Sequence, residues 1–384
     1  MTEILSNAVL VTPEAASRGT LVIRDGRIAE IDDRRTAAAG AADLDGDLLL
    51  PGLIDLHTDN MERHFFPRPG VHWPSPLGAV LAHDREVIGA GITTVLDAIS
   101  CGDYDTGGAR GIMLNEAIAT LSRAKDGGLL AADHLLHLRC ETSDGAMLDM
   151  VEPHAKNPLL ALMSLMDHTP GQRQWRDLAI YRNYRRTKKN IVWTDAEFAE
   201  HLKKVTAFRD EHAPRFARRI REIAQAHAIP LASHDDTTLA DVEGSAAAGI
   251  TISEFPTTIE AAERARALGQ GIAMGSPNVV LGRSHSGNVG AADLHARGLV
   301  DMLCSDYVPA SLLESIFHLV RSGTPLPDAA KLGSSNVADA LGLKDRGAIE
   351  VGRRADLIRV RLVDGHPVLR GVWRQGRQVA VGSA

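Results

Sequence analysis

Cysteine is scarce in this chain: three residues in 384, Cys101, Cys140 and Cys304, far apart and without a Cys-x-x-Cys pair. An odd, scattered set argues against a disulfide framework and a thiolate zinc knuckle, and a reduced cytoplasm is the expected location. Positive charge is not in surplus either. Lys and Arg total 42 against 49 Asp and Glu, a net charge of -7, so nucleic acid is not expected as a partner held by bulk charge. No stretch approaches the roughly 20 apolar residues of a membrane span. The opening MTEILSNAVLVTPEAASRG carries acids and no sustained apolar run, unlike a secretory signal. What remains, 44% apolar and 24% charged residues, suits a soluble globular protein able to bury a large core.

Both ends of the chain read as short strands with turns. Residues 20–23 and 27–31 flank Arg24-Asp25-Gly26, and residues 356–360 and 368–373 flank a turn at Asp364-Gly365, with another near Gly376. An Asp-Gly step between β-type runs is a hairpin signal. The economical arrangement is one small β-domain built from residues 1–50 and 345–384, with residues 51–344 inserted between its halves. That insert alternates apolar runs (48–56, 92–98, 135–141, 159–166, 229–233, 251–254, 271–274 and 302–305) with helical stretches such as 195–226, 239–248 and 259–268. Short strands buried on both faces with helical crossovers imply a parallel sheet, and eight of them imply an α/β fold of the closed (β/α)8 barrel type. A doubly wound open sheet is the rival, but no GxGxxG follows the first run.

In a barrel, catalytic groups collect at the C-terminal ends of strands. The first run ends His57-Thr58-Asp59, with His57 and Asp59 on one face. The third ends Arg139-Cys140-Glu141, the fourth Asp167-His168, the fifth His234-Asp235 and the eighth Ser305-Asp306. Any one such residue alone reads as a cap or a solvated side chain. Together, His57, Asp59, Glu141, His168, His234 and Asp306 would repel or dehydrate one another without a cation between them. One or two divalent ions are the simplest resolution, Zn²⁺ foremost, with Mn²⁺ and Fe²⁺ as alternatives.

This pattern resembles the amidohydrolase superfamily of metal-dependent hydrolases, over almost the whole chain. The string Leu49-Leu50-Pro51-Gly52-Leu53-Ile54-Asp55-Leu56-His57 is similar to that superfamily's entry into its first barrel strand. Gly347-Ala348-Ile349-Glu350-Val351-Gly352-Arg353-Arg354-Ala355-Asp356-Leu357 is similar to its return into the small β-domain. Here Asp59 stands where the superfamily usually has the second histidine of His-x-His, which leaves open one metal or an oxygen-rich pair. Glu141 on the third strand is more like the sugar-deacetylase branch. Three further strings are unusual: 57–64 with Pro67-Arg68-Pro69-Gly70-Val71 and Trp73; Ile252-Ser253-Glu254-Phe255-Pro256-Thr257; and Gly275-Ser276-Pro277-Asn278 running on to Gly282-Arg283-Ser284-His285-Ser286-Gly287-Asn288. Together they resemble the diphosphatases of the carbon–phosphorus lyase route of phosphonate use. The resemblance implies hydrolysis of α-D-ribose 1-methylphosphonate 5-triphosphate to the 5-phosphate and pyrophosphate, with Asp306 taking the proton of a metal-activated water.

A polyphosphate substrate agrees with the charge pattern. Residues 173–189 hold Arg173, Arg176, Arg182, Arg185, Arg186, Lys188 and Lys189 against Asp177 alone. Such a segment offers bidentate and point-charge donors to phosphate, although a solvated helix face or a subunit contact would account for it equally. Substrate contacts are expected from Arg68, Arg139, Arg173, Arg185, Arg186, Lys188, Lys189, Asn278, Arg283, Ser284, His285, Ser286 and Asn288. The alternative is an amidohydrolase or deacetylase cleaving a C–N bond of a small cyclic or N-acylated substrate; a third reading is a non-catalytic scaffold. His83, His201, His212, His227, His295 and His318 lie in helical stretches and read as surface or core histidines. The expected partner is a small phosphorylated sugar, with no nucleic acid and no membrane. A homo-oligomer, or association with other phosphonate-pathway proteins, stays open.

Overall fold

The structure is a computed structural model describing residues 2–36, 38–102, 109–284 and 287–382. The strands of the chain's two ends are β1 (Thr2–Val11), β2 (Ala16–Arg24), β3 (Arg27–Asp32), β4 (Ala41–Asp43) and β5 (Leu48–Pro51), then β14 (Leu357–Val363), β15 (His366–Arg374) and β16 (Arg377–Val381). They share one sheet in the order β16-β15-β14-β5-β1-β2-β3, with β4 on β1. Both Asp-Gly hairpins form. Asp25 and Gly26 (φ 51° and 80°) and Asp364 and Gly365 (φ 50° and 78°) supply the positive-φ pairs of tight hairpin turns. The antiparallel register Leu357↔Pro51 to Val360↔Leu48 joins the two ends of the chain, over an apolar cluster including Leu5, Leu21, Ile23, Leu49, Leu357 and Trp373.

The eight barrel strands are β6 (Leu53–Thr58), β7 (Ile92–Cys101), β8 (Asp133–Glu141), β9 (Leu160–Met166), β10 (Leu231–His234), β11 (Ile252–Glu254), β12 (Gly271–Gly275) and β13 (Met302–Cys304). They pair in parallel in sequence order. Closure between β13 and β6 comes from a parallel bridge between Thr58 and Asp306. There the Asp306 N–H donates to the His57 carbonyl and the Asp59 N–H to the Asp306 carbonyl, each at 3.0 Å. Below that seam the buried Asp55 carboxylate accepts the Ser305 N–H at 2.9 Å.

One sequence expectation needs correcting. The run 48–56 is two strands, β5 in the terminal sheet and β6 in the barrel. Pro51 has no N–H to continue a ladder, and the chain turns at Gly52, where a Cβ would lie 2.3 Å from Thr93 Oγ1. Only glycine lets this junction pass so close to Thr93 at the start of β7.

Along three barrel strands one face carries an apolar residue and then a polar one: Ala232 then His234, Ile252 then Glu254, Met302 and Cys304 then Asp306. The apolar members pack with Leu56, Leu96 and Leu162 in one buried cluster. This layering lifts the chemistry to the C-terminal rim. Among the described residues no helix is long and apolar enough to cross a membrane.

The barrel and the terminal sheet meet at Asp133, whose carboxylate receives Arg346 (2.9 Å), Arg354 (2.8 Å) and Arg374 (3.0 Å). Burial opposes its ionisation, but the three guanidiniums outweigh burial and hold the carboxyl at about 2. A depressed folded-state pKa stabilises above the ordinary carboxylate range, and the gain is lost as pH falls towards 2. Asp133→Asn should cost roughly 3 kcal/mol by leaving three guanidiniums short of their shared counter-charge. Denaturant titrations should show a lowered midpoint at pH 7, and the gap to the parent protein should close between about pH 4 and 2.

Candidate metal centre and substrate cavity

Strand ends converge on a cavity of about 240 Å³ lined by His57, Asp59, Arg139, His168, His234, Asp235 and Asp306, with neutral groups from Asn278, Ser284 and Asn288. Three of these ends carry a left-handed residue, Asp235 (φ 58°), Phe255 (φ 56°) and Asp306 (φ 54°). Each turns its strand off the barrel while its N–H reaches a neighbouring strand: Asp235 to the Glu254 carbonyl, Phe255 to Ala273 and Asp306 to His57. Strain of this kind persists where surrounding structure over-determines it, as it does at functional sites.

At the centre stands Glu254, fully buried. Its Oε1 lies 2.8 Å from His57 Nδ1 and its Oε2 lies 2.7 Å from His234 Nδ1. The two imidazoles come from β6 and β10, four strands apart, and stack with centroids 5.9 Å apart at 19°. Burial opposes ionisation of Glu254, but the charges of the facing imidazoles and their hydrogen bonds hold it well below the usual carboxylate range. A carboxylate accepting from both Nδ1–H groups leaves each Nε2 as a lone-pair donor, the arrangement in which an outer carboxylate orients metal-binding histidines. His234 Nε2 lies 3.6 Å from Asp235 Oδ2, and His168 Nε2 lies 3.8 Å from the same oxygen. His57, His234 and Glu254 form one group of clustered ligand atoms, and His168, His234 and Asp235 a second sharing His234. Imidazole nitrogens and carboxylate oxygens without a thiolate fit Zn²⁺, Mn²⁺ or Fe²⁺.

Glu141 sits behind His168: Oε2 lies 2.5 Å from His168 Nδ1, and Oε1 accepts the His168 N–H at 3.0 Å. Burial works against both charges, but the pair prevails, with Glu141 held at about 2 and His168 raised to about 9. Asp306 behaves in the opposite sense: burial and the Asp59 charge push its carboxyl up to about 7, against His57 and Arg139. Arg139 Nη1 lies 3.7 Å from Asp59 Oδ2, while its buried Nε has no hydrogen-bond partner among the described residues. It is the one Arg or Lys among the described residues lining the cavity.

The other candidate residues are distributed differently. Asn278 lines the cavity but also accepts the Ala291 N–H at 2.9 Å, tying down the following loop. Arg173 donates to the His234 carbonyl at 2.6 Å and pairs with buried Asp236. Arg185 is buried against Tyr181 and Trp193, its guanidinium carbon 5.8 and 5.4 Å from their rings, and lines a neighbouring cavity of about 580 Å³. Arg186 binds the Asn183 side chain at 2.9 Å. Arg68 and Arg283 are exposed and absent from the described lining of the mouth. His285 and Ser286 lie outside the described residues, as do the side chains of Lys188 and Lys189 on the helix Leu178–Lys189.

Sequence reasoning assigned no role to Glu254 or Asp235. Glu254 had a signal: a carboxylate closing the short run Ile252-Ser253-Glu254 at a predicted strand end. Asp235 follows His234 directly, so strict strand alternation turns it away, and only its left-handed backbone brings it back.

Residues 48–381 match the amidohydrolase family. The chain is 41% identical over 379 residues to the alpha-D-ribose 1-methylphosphonate 5-triphosphate diphosphatase of Escherichia coli K12, covering 98% of this chain and all of that one. Among solved structures, 5-methylcytosine deaminase from Klebsiella pneumoniae superposes with a TM-score of 0.68 at 14% identity, covering 99% and 98% of the two chains. N-acetylglucosamine-6-phosphate deacetylase from Pasteurella multocida does so at 0.64 and 13%, each chain fully covered. The likeness to these two structures concerns the fold.

Glu254→Gln retains shape but replaces one acceptor with an amide donor, so both imidazoles cannot keep their bonds. Competition with a chelator should show Zn²⁺ binding about 10- to 100-fold weaker than in the parent protein.

Proposed function

We propose that this chain, which belongs to the amidohydrolase family, is a metal-dependent diphosphatase that cleaves α-D-ribose 1-methylphosphonate 5-triphosphate to the 5-phosphate and pyrophosphate. The identity of 41% to a relative of that name, along the full length of both chains, supports the substrate. The observation that carries the reading within the site is Arg139, whose buried Nε is unpartnered among the described residues beside the carboxylates of the mouth. A neutral ring would leave that donor buried without an acceptor, at a cost of about 1–3 kcal/mol; a phosphate oxygen would satisfy it by a charge-assisted bond.

His57 and His234, oriented by Glu254, would hold the divalent ion together with carboxylates from Asp59, Asp235 and Asp306, with Glu141 and His168 on the adjoining side. When bound, such an ion supplies Lewis acidity and makes water at the site acidic near neutral pH. Asp306 accepts the proton of the attacking water. Its carboxylate lines the cavity beside His57 and Asp59, where that water would be held. Arg139 meets the charge that develops on the phosphate oxygens, and Asn278, Ser284 and Asn288 face it across the cavity with neutral donors. We take residues 51–344 as the hydrolase unit, braced by the β-domain of residues 1–50 and 345–384, and place the reaction in the cytoplasm.

The decisive assay is pyrophosphate release from the ribosyl triphosphate by purified protein supplied with Zn²⁺, Mn²⁺ or Fe²⁺. Chelation should abolish turnover and readdition of metal restore it. Asp306→Asn should keep the fold and, with metal in excess, still load the ion through His57, His234 and the remaining carboxylates, while lowering kcat about 10²- to 10⁴-fold. Release of ammonia or a carboxylate from a cyclic amide, with no pyrophosphate, would move the assignment to C–N hydrolysis.

A further inference from the structure

Outside the mouth, a chain of buried polar side chains runs between the barrel wall and the helix Pro76–Gly89. His83 and Asp84 on that helix, Asp97 on β7 and His134 on β8 are each no more than 1% exposed. His134 Nδ1 lies 2.8 Å from Asp97 Oδ2 and its Nε2 lies 3.3 Å from Asp84 Oδ1. Asp97 Oδ1 lies 2.8 Å from His83 Nε2. His83 Nδ1 lies 3.1 Å from Asn60 Nδ2, which donates also to Glu86 Oε2 at 3.1 Å. His64 Nε2 meets the same Glu86 oxygen at 3.0 Å.

The protons in this chain can be counted. Asp84 already accepts the N–H groups of Ala131 and Ala132, both at 2.9 Å, so it is an acceptor and His134 must donate to it. His134 then donates from both nitrogens and is an imidazolium; burial opposes that charge, but Asp97 and Asp84 raise it to about 9. His83 donates from Nε2 to Asp97, so its Nδ1 keeps a lone pair for the Asn60 amide. Both ring nitrogens of His83 and of His134 have a partner within this network, and it ends on the residue after Asp59.

Asp59 itself is held weakly. Its side chain is 36% exposed and has Arg139 at 3.7 Å. Its N–H and the Thr58 hydroxyl bind the Asp306 carbonyl at 3.0 and 2.8 Å, which fixes the turn on the β13 side. Asn60, 1% exposed, fixes it on the other.

We propose that Asn60, held by the buried chain His83–Asp97–His134–Asp84 and by Glu86, is a positioning residue that aims Asp59 at the cation. The inference rests on the assignment of Asp59 as a ligand. Buried charged networks seldom gain net stability over apolar packing, so one that ends beside a ligand is explained by the geometry it imposes. Asn60 would act on Asp59 through the backbone of the turn they share. The loss expected is of the size that removing an outer partner of a ligand causes, about 10- to 100-fold in metal affinity.

A double-mutant cycle tests this on the full-length apoprotein, with Zn²⁺ as the probe in chelator competition. Asn60→Ala should weaken Zn²⁺ binding 10- to 100-fold. At saturating Zn²⁺ it should lower kcat for pyrophosphate release while KM stays within about twofold. In an Asp59→Asn background the same substitution should make no further difference, because interacting residues couple and independent ones add. His83→Phe should reproduce the Asn60→Ala loss and His83→Gln should restore affinity, since a Gln side chain can donate to Asp97 and accept from Asn60. If His83→Phe does not fold, the Asn60 and Asp59 cycle decides alone. Additive effects, or unchanged affinity in Asn60→Ala while Asp59→Asn loses it, would overturn the positioning role. Full affinity in Asp59→Asn would instead remove Asp59 as a ligand, and this proposal with it.

Discussion

One carboxylate organises the mouth of this barrel. Glu254 accepts hydrogen bonds from imidazoles that arrive on strands four apart in the sheet order. By taking the Nδ1 hydrogen of each, it fixes both tautomers and both ring planes before any ligand arrives. Placing an ionised carboxylate without access to water is expensive, and here the two imidazole donors repay it. His168, Asp235, Asp306 and Asp59 line the cavity around that geometry.

Around Glu254 the site separates its acids by environment. Glu141 is committed to His168, a charged pair that keeps its carboxylate ionised far below neutral pH. Among the described residues Asp306 has no such partner, and burial and the Asp59 charge raise its proton affinity. Two carboxyls at one rim thus stand in opposite electrostatic environments. Arg139 brings opposite charge among the carboxylates while keeping a donor spare, which suits a substrate that is itself an anion.

The same economy of charge holds the scaffold. Asp133, at the start of β8, gathers guanidiniums from residues 346, 354 and 374 and so joins the barrel to strands at the far end of the chain. Along the same strand, His134 enters the buried chain that reaches Asn60, Arg139 lines the mouth, and Glu141 sits behind His168. Strand β8 therefore carries a brace at one end and a cavity-lining side chain at the other, with local alternation deciding which side each residue faces.

Much of this was legible in the linear chain. Apolar runs bounded by polar breakers marked the eight barrel strands, because strands buried on both faces read as near-continuous apolar stretches. His57, Asp59, His168, His234 and Asp306 could be placed at one rim because strand ends are where a barrel puts exposed polar groups. Three things needed the tertiary structure. Arg173 and Arg185 stood in a cation-rich run that reads as a phosphate clamp, yet one is tied to Asp236 and the other packs against aromatics. His83 read as an unremarkable helical histidine, and it became a link between a barrel strand and the turn at Asn60. Glu254 has one imidazole partner, His234, 20 positions before it and the other, His57, 197 positions away. Periodicity and breakers are local, so the sequence alone determined the strands and their polar ends. Which charge meets which counter-charge depends on distances through space between residues remote in the chain, and that was decided only when the barrel closed.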